Sequence, residues 1–216
     1  MIELLSTKEL DVTQRNILEQ AGIVYHEHNF ISIEPLDFKA PKQIENAIFT
    51  SQNAVKAILN KDIKINHCFC VGDKTQALLK HHNFNVVEKA YQAATLANTI
   101  VTHYKSHEFH LFCGNLRREE LPALLKKHQI QLHEIQVYQT SLTSKSMLRS
   151  FDAVLFFSPS AVESYAERNL FDHTTVFCLG KTTEAEVRKH TNNLITANRT
   201  TIENVLVQVI KHFKGH

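Results

Sequence analysis

Phe49-Thr50-Ser51-Gln52-Asn53-Ala54-Val55-Lys56 returns 107 residues later as Phe156-Phe157-Ser158-Pro159-Ser160-Ala161-Val162-Glu163. Each stretch closes a short apolar run with hydroxyl-bearing residues and then sets apolar residues at helical spacing, the mark of a strand leading into a helix. The correspondence extends in both directions. Ile17-Leu18-Glu19-Gln20 with His26-Glu27 lies 107 residues before Leu124-Leu125-Lys126-Lys127 with His133-Glu134. Cys70-Val71-Gly72-Asp73-Lys74-Thr75 precedes Cys178-Leu179-Gly180-Lys181-Thr182-Thr183 by 108, and Thr95-Leu96-Ala97-Asn98 precedes Thr201-Ile202-Glu203-Asn204 by 106. Offsets this constant mark an internal duplication.

Within each half, short β-branched or apolar runs alternate with helical stripes, which predicts an α/β fold of βα units around mostly parallel sheets. In the first half strands are expected near 2–6, 23–27, 45–50, 67–71 and 85–88. Ala54, Val55, Ile58 and Leu59 form one helical stripe, and Ala77, Leu78 and Leu79 begin another, with Asp73 as its expected cap. The second half repeats the pattern from Phe109 to Phe213. Ser32–Lys42 and Gln139–Ser150, rich in Ser, Thr, Lys and Pro, are the longest interruptions and the expected linkers. One crossing at each linker makes the middle segment one domain and joins the two ends of the chain into the other; the repeat alone leaves open whether each domain is contiguous.

Composition narrows the function classes. The chain has 216 residues, 43% of them hydrophobic and 21% charged, ordinary for a globular protein. Lys and Arg number 24 against 22 Asp and Glu, a net charge of +2, which argues against a dedicated nucleic-acid binder. Its apolar runs fall well short of a membrane helix, the longest being Ala153-Val154-Leu155-Phe156-Phe157, and the acidic Glu3 breaks the N-terminal apolar segment, so neither membrane insertion nor an export signal is expected. A cytoplasmic location follows as an expectation. Cys68, Cys70, Cys113 and Cys178 all fall in β-type runs, where a thiol serves as a small hydrophobe; no disulfide is expected. Cys68-x-Cys70 lacks the second ligand pair of a zinc site, and the fourteen His are scattered without ligand spacing.

In open parallel sheets ligands bind at the carboxyl ends of the strands. Thr50, Ser51, Ser158 and Ser160 fall between strand and helix, where hydroxyls and helix-start amides suit a carboxylate or phosphate. The turns with Gly72 and Thr75, and with Gly180, Lys181, Thr182 and Thr183, are built alike: glycine allows a tight exit from the strand and Thr or Asp can cap the helix. Neither matches G-x-x-x-x-G-K-[ST] or G-x-G-x-x-G, so nucleotide binding has little support. Gly114, Asn115, Arg117 and Arg118 follow another expected strand, and a guanidinium there can either recognise carboxylates or sit as a solvated surface charge. Tyr138 opens the second linker, as a packed aromatic or as a donor. No Ser-His-Asp set or H-E-x-x-H motif supports a hydrolase or metalloenzyme.

Taken in order, these motifs resemble the uroporphyrinogen-III synthase family. Ile48-Phe49-Thr50-Ser51-Gln52-Asn53-Ala54-Val55 is similar to its "iFTSxnAV" segment, Val71-Gly72-Asp73-Lys74-Thr75 to its "VGxkT" turn, and Gly114 with Arg117 to its "G...R..L" element. Val137-Tyr138-Gln139-Thr140 is similar to "vYxt", Phe156 to Val162 to "FtSpsav", and Leu179 to Thr183 to "iGptTa". The chain departs from the family at Ser6-Thr7-Lys8-Glu9, where Arg-Pro is frequent, leaving Lys8 as a substitute, and at Lys181, where Pro is usual.

The resemblance implies two flavodoxin-like domains joined by a two-stranded linker, residues 1–33 plus 143–216 forming one and 36–139 being inserted as the other. It implies conversion of the linear tetrapyrrole hydroxymethylbilane to uroporphyrinogen III in the cleft between domains, with inversion of ring D through a spiro intermediate and loss of water, and without cofactor or metal. Thr50, Ser51, Gly72, Thr75, Gly114, Asn115, Arg117, Ser158, Ser160, Lys181, Thr182 and Thr183 would bind the substrate, largely through backbone amides. Tyr138 would be the catalytic residue, assisting departure of the hydroxyl. The family also implies a monomer, with transient contact to the preceding pathway enzyme as a further expectation. The rival reading is a cytoplasmic two-domain small-molecule binder or sensor without chemistry.

Overall fold

Leu4 and Leu5, adjacent on the first strand, β1 (Glu3–Ser6), are both fully buried, each in a different apolar cluster. A parallel strand covered by helices on both faces has this property. In the computed structural model, which describes residues 2–215, the pattern holds throughout. In chain order follow α1 (Val12–Gln20), β2 (Val24–Glu27), β3 (Ile31–Pro35), β4 (Gln43–Phe49), α2 (Gln52–Ile58), β5 (Lys64–Val71) and α3 (Asp73–His81). Then come β6 (Val86–Ala90), α4 (Ala93–His103), β7 (Glu108–Gly114), α5 (Glu120–Lys127) and β8 (Gln131–Leu142). The chain ends with β9 (Ala153–Phe156), α6 (Pro159–Ala166), β10 (Thr175–Cys178), α7 (Lys181–Val187), β11 (Leu194–Thr196) and α8 (Ile202–Lys214).

The chain divides into two compact units: unit 1 holds the segment up to Ser32 together with everything from Ser141 onward, and unit 2 is Ile33–Thr140. Unit 1 is built on a parallel sheet in the order β11-β10-β9-β1-β2, the flavodoxin-like order 2-1-3-4-5 when counted along the chain. The other sheet runs β3-β8-β7-β4-β5-β6, and its strands β4 to β8 pair in parallel. The sequence repeat matches β2 with β8, β9 with β4 and β10 with β5. With that correspondence both sheets have the same spatial order, and unit 1 is a circular permutation of unit 2.

The cores obey the same permutation. In unit 2, Ile48, Phe69, Leu111 and Phe109 pack under α4 and α5, while Phe49, Cys68, Cys70 and Phe112 pack under α2 and α3. In unit 1, Leu5, Val154, Phe156 and Val176 face α6 and α7, and Leu4, Leu155 and Phe177 face α1 and α8. Period-two alternation with both faces apolar is why the strands read as continuous hydrophobic runs.

Two local expectations change. Ser32–Lys42 and Gln139–Ser150 are not wholly irregular, because β3 occupies the start of the first and β8 extends to Leu142 in the second; the two are neighbours in the sheet. Their outer residues are half-buried or exposed, so they lack the apolar pattern that betrays the other strands. Asp73 does not cap α3. The cap position is Gly72, at φ +87°, with no side-chain bond, and Asp73 is the first helical residue, where its charge complements the helix dipole.

Candidate functional site at the carboxyl edges

A binding crevice opens in a doubly wound sheet where neighbouring strands send their following helices to opposite faces. In unit 2 these neighbours are β4, followed by α2, and β7, followed by α5. Thr50 and Ser51 leave β4 there, and Gly114 and Asn115 leave β7, so these four residues from two distant stretches are brought together. In unit 1 the neighbours are β9, followed by α6, and β1, followed by α1, which places Ser158 and Ser160 beside Thr7 and Lys8. Gly72 and Thr75 follow β5, and Lys181, Thr182 and Thr183 follow β10, one strand further along each edge.

The hydroxyls are already employed. Ser51 Oγ accepts from the Asn53 amide at 3.1 Å, and Ser158 Oγ accepts from the Ala161 amide at 3.2 Å while contacting Ser160 Oγ at 3.1 Å. Both serines are helix N-caps; α2 keeps its Gln52 amide for an anion, whereas in α6, where Pro159 has no N–H and the Ala161 and Val162 amides bond Ser158, the remaining donor is the Ser160 amide. Thr75 and Thr183 both occupy the third position of their helices and are 5% and 2% exposed, so they present backbone rather than side chain. Lys181 and Thr182 are exposed. The two glycine turns differ in backbone: Gly72 has φ +87° and Gly180 is extended at −175°. Neither helix receives a side-chain cap.

Gly114 and Tyr138 are register partners across β7 and β8, at an irregularity following Cys113. A Cβ on residue 114 would overlap Cε2, Cζ and Cδ2 of the Tyr138 ring. The glycine is therefore the floor on which the tyrosine lies, and the half-buried ring completes its packing against the cluster of Phe49 and Phe112. Asn115 fastens the adjoining loop: its side chain donates to Thr140 O at 3.0 Å and accepts from Thr140 N at 2.7 Å, continuing the strand ladder with a side chain.

Arg117 lies in the loop before α5 rather than on the helix. Its guanidinium holds Glu119 at 2.7 Å and also Glu134. These carboxylates hold its pKa above the ordinary arginine value although burial opposes them. An incoming carboxylate would have to displace one of them. A groove of about 740 Å³ beside α5 and the first residues of β8 is lined by Arg117, Glu119, Lys126 and Glu134 together with Ile130 and Leu132.

Thr7 and Lys8 join the site at the position where the family resemblance offered Lys8 as the substitute for an Arg; Thr7 was not singled out by the sequence. Thr7 is buried and donates from Oγ1 to Leu155 O at 2.6 Å, whereas Lys8 is exposed with Nζ 6.0 Å from the Phe157 ring centroid. The permutation places them as well: β1 stands where β7 stands in the other sheet, and because Ser6 pairs with Leu155 as Leu111 pairs with Ile48, residues 7–8 correspond to Phe112-Cys113 at the end of β7. All four cysteines are free and buried, and among the described residues no group of three or more His, Cys, Asp or Glu is placed to hold a metal ion.

The family model described as uroporphyrinogen-III synthase HemD matches residues 11–206. No curated protein matches the sequence. Among solved structures the chain is similar to the uroporphyrinogen-III synthetase of Helicobacter pylori 26695, at 16% identity over 98% of this chain and 100% of that one, with a TM-score of 0.74. It is also similar to a mutant uroporphyrinogen III synthase of the extremely thermophilic bacterium Thermus thermophilus, at 10% identity over 100% of both chains, with a TM-score of 0.69. At such identities the structures establish the fold, and the family model, spanning most of the chain, establishes the lineage: the protein belongs to the uroporphyrinogen-III synthase family.

Proposed function

We propose that the protein is a uroporphyrinogen-III synthase, a lyase that closes hydroxymethylbilane into uroporphyrinogen III with loss of water. The family match over residues 11–206 carries this reading. The geometry supports it: each sheet offers a switch-point edge with helix-start amides, and the substrate is a polycarboxylate that needs many weak anion contacts. The amides at the starts of α3 and α6 and the ammonium groups of Lys8 and Lys181 hold acetate and propionate groups. Tyr138 donates its phenolic proton, or a hydrogen bond, to the departing hydroxyl, so that water leaves and a reactive azafulvene remains. The substituted α-carbon of ring D then attacks the azafulvene methylene, and ring D is inverted through the resulting spiro intermediate before the macrocycle closes. Positioning contributes at least as much as proton transfer, because the azafulvene is intrinsically electrophilic. Free, buried thiols accord with a reducing cytoplasm, where we place the protein as a monomer.

The test is to supply purified protein with freshly generated hydroxymethylbilane, oxidise the products and separate the uroporphyrin isomers. Type III that depends on the protein is the expected outcome. Type I alone, the spontaneous product, would overturn the reading in favour of a binding protein.

A further inference from the structure

At the outer edge of the unit 2 sheet, β6 ends with Lys89 and Ala90, and the chain leaves through Tyr91, which is 74% exposed. Its ring is held rather than free. Lys89 Nζ lies 3.6 Å from the ring centroid, within cation–π range, and bonds Asp73 Oδ1 at 2.9 Å on the first residue of α3. The Gly72 amide donates to Ala90 O at 2.9 Å, which ties this group to the Gly72 turn. One face of the ring therefore rests on a cation whose side chain is only 19% exposed, and the rest stands open at the carboxyl edge.

Three features single out this arrangement. A tyrosine ring is on average partly buried, and here its high exposure is combined with an ammonium seated on one face. The corresponding exit from β11 in unit 1 reads Ala197-Asn198-Arg199 and has no aromatic residue, so the group is not a by-product of duplication. Finally, β6 is two strands from β4, which puts Tyr91 about 12 Å from the crevice beside β7 at the usual strand spacing. A chain of linked pyrroles anchored in that crevice can extend to it.

Building on the functional reading above, we propose that Tyr91 and Lys89 form a subsite for one pyrrole ring of the linear tetrapyrrole and its carboxylate. The pyrrole stacks on the open face of Tyr91, and the Lys89 ammonium exchanges Asp73 for the substrate carboxylate. The Lys89–Asp73 pair is with a carboxylate that is 69% exposed, and such a pair is held weakly enough to exchange.

The isomer assay, run over a range of hydroxymethylbilane concentrations, tests the subsite. Tyr91→Ala should raise KM by about two- to ten-fold with a smaller change in kcat, because the lost contact is made equally in ground and transition states. Tyr91→Phe, which keeps the ring, should bring KM back towards the wild-type value. Lys89→Met should raise KM and flatten its dependence on ionic strength. Thermal unfolding of each variant separates these effects from misfolding. Wild-type protein that forms type III while Tyr91→Ala keeps the wild-type KM would overturn the subsite and leave the functional reading standing. Wild-type protein that yields only type I would overturn both.

Discussion

A single glycine decides where the candidate catalytic tyrosine lies. Because residue 114 has no Cβ, the Tyr138 ring settles against the β7 backbone. Gly114→Ala should cost about 1–3 kcal/mol through overpacking and should also lower turnover by tilting the phenol, as thermal unfolding and the isomer assay would reveal. Tyr138→Phe should leave the unfolding midpoint nearly unchanged and reduce kcat by about ten-fold or more; full kcat would remove the hydroxyl from the mechanism. The repeated His-Glu dipeptides also have a residue-level explanation. His26 contacts Glu3 at 3.4 Å and His133 contacts Glu108 at 2.8 Å, each reaching the first residue of the neighbouring strand. Glu27 takes Arg15 at 2.7 Å, and Glu134 takes Arg117. The dipeptide marks duplicated scaffold, and in unit 2 its Glu134 also holds the candidate site residue Arg117.

Elements that look alike in sequence diverge in backbone. Gly72→Ala places a Cβ at φ +87° and should destabilise by about 1 kcal/mol or more. Gly180→Ala meets only the Thr200 methyl at 3.1 Å in extended backbone and should be close to neutral, a contrast that denaturant titration of the two variants can measure. The pairing of β7 with β8 adds a pH dependence. His110 and His133 are register partners with rings stacked 4.9 Å apart. Burial, then the neighbouring His133, push the His110 pKa below its ordinary 6.5, while Glu108 opposes them. The unfolded chain therefore takes up this proton first. The stability contributed by neutral His110 is complete above about pH 6.5 and is lost as the pH falls below it. His110→Gln should flatten that slope in stability measured between pH 7 and 5.

At the scale of the molecule, the same four thiols that read as hydrophobes line both cores. Burial pushes Cys68 and Cys178 up to about 12 and Cys70 and Cys113 up to about 11. Alkylating reagents at neutral pH should label none of them until the protein is unfolded. Above about pH 9 the unfolded chain ionises its thiols while the folded one does not, so stability should fall as the pH rises from 9 towards 11. The duplication, the α/β class and the approximate strand positions were legible in residues such as Phe49–Val55 and Phe156–Val162, because buried parallel strands and capped helix starts impose local patterns. The edge strand β3 and the far end of its neighbour β8 were less legible, since exposed strand residues need no apolar alternation. That Thr7 and Lys8 lie beside Ser158, that Gly114 bears Tyr138, and that Arg117 is held by two carboxylates were decided only by tertiary structure. Each depends on which strands become neighbours and in what register, a choice made by long-range pairing and not by any spacing along the chain.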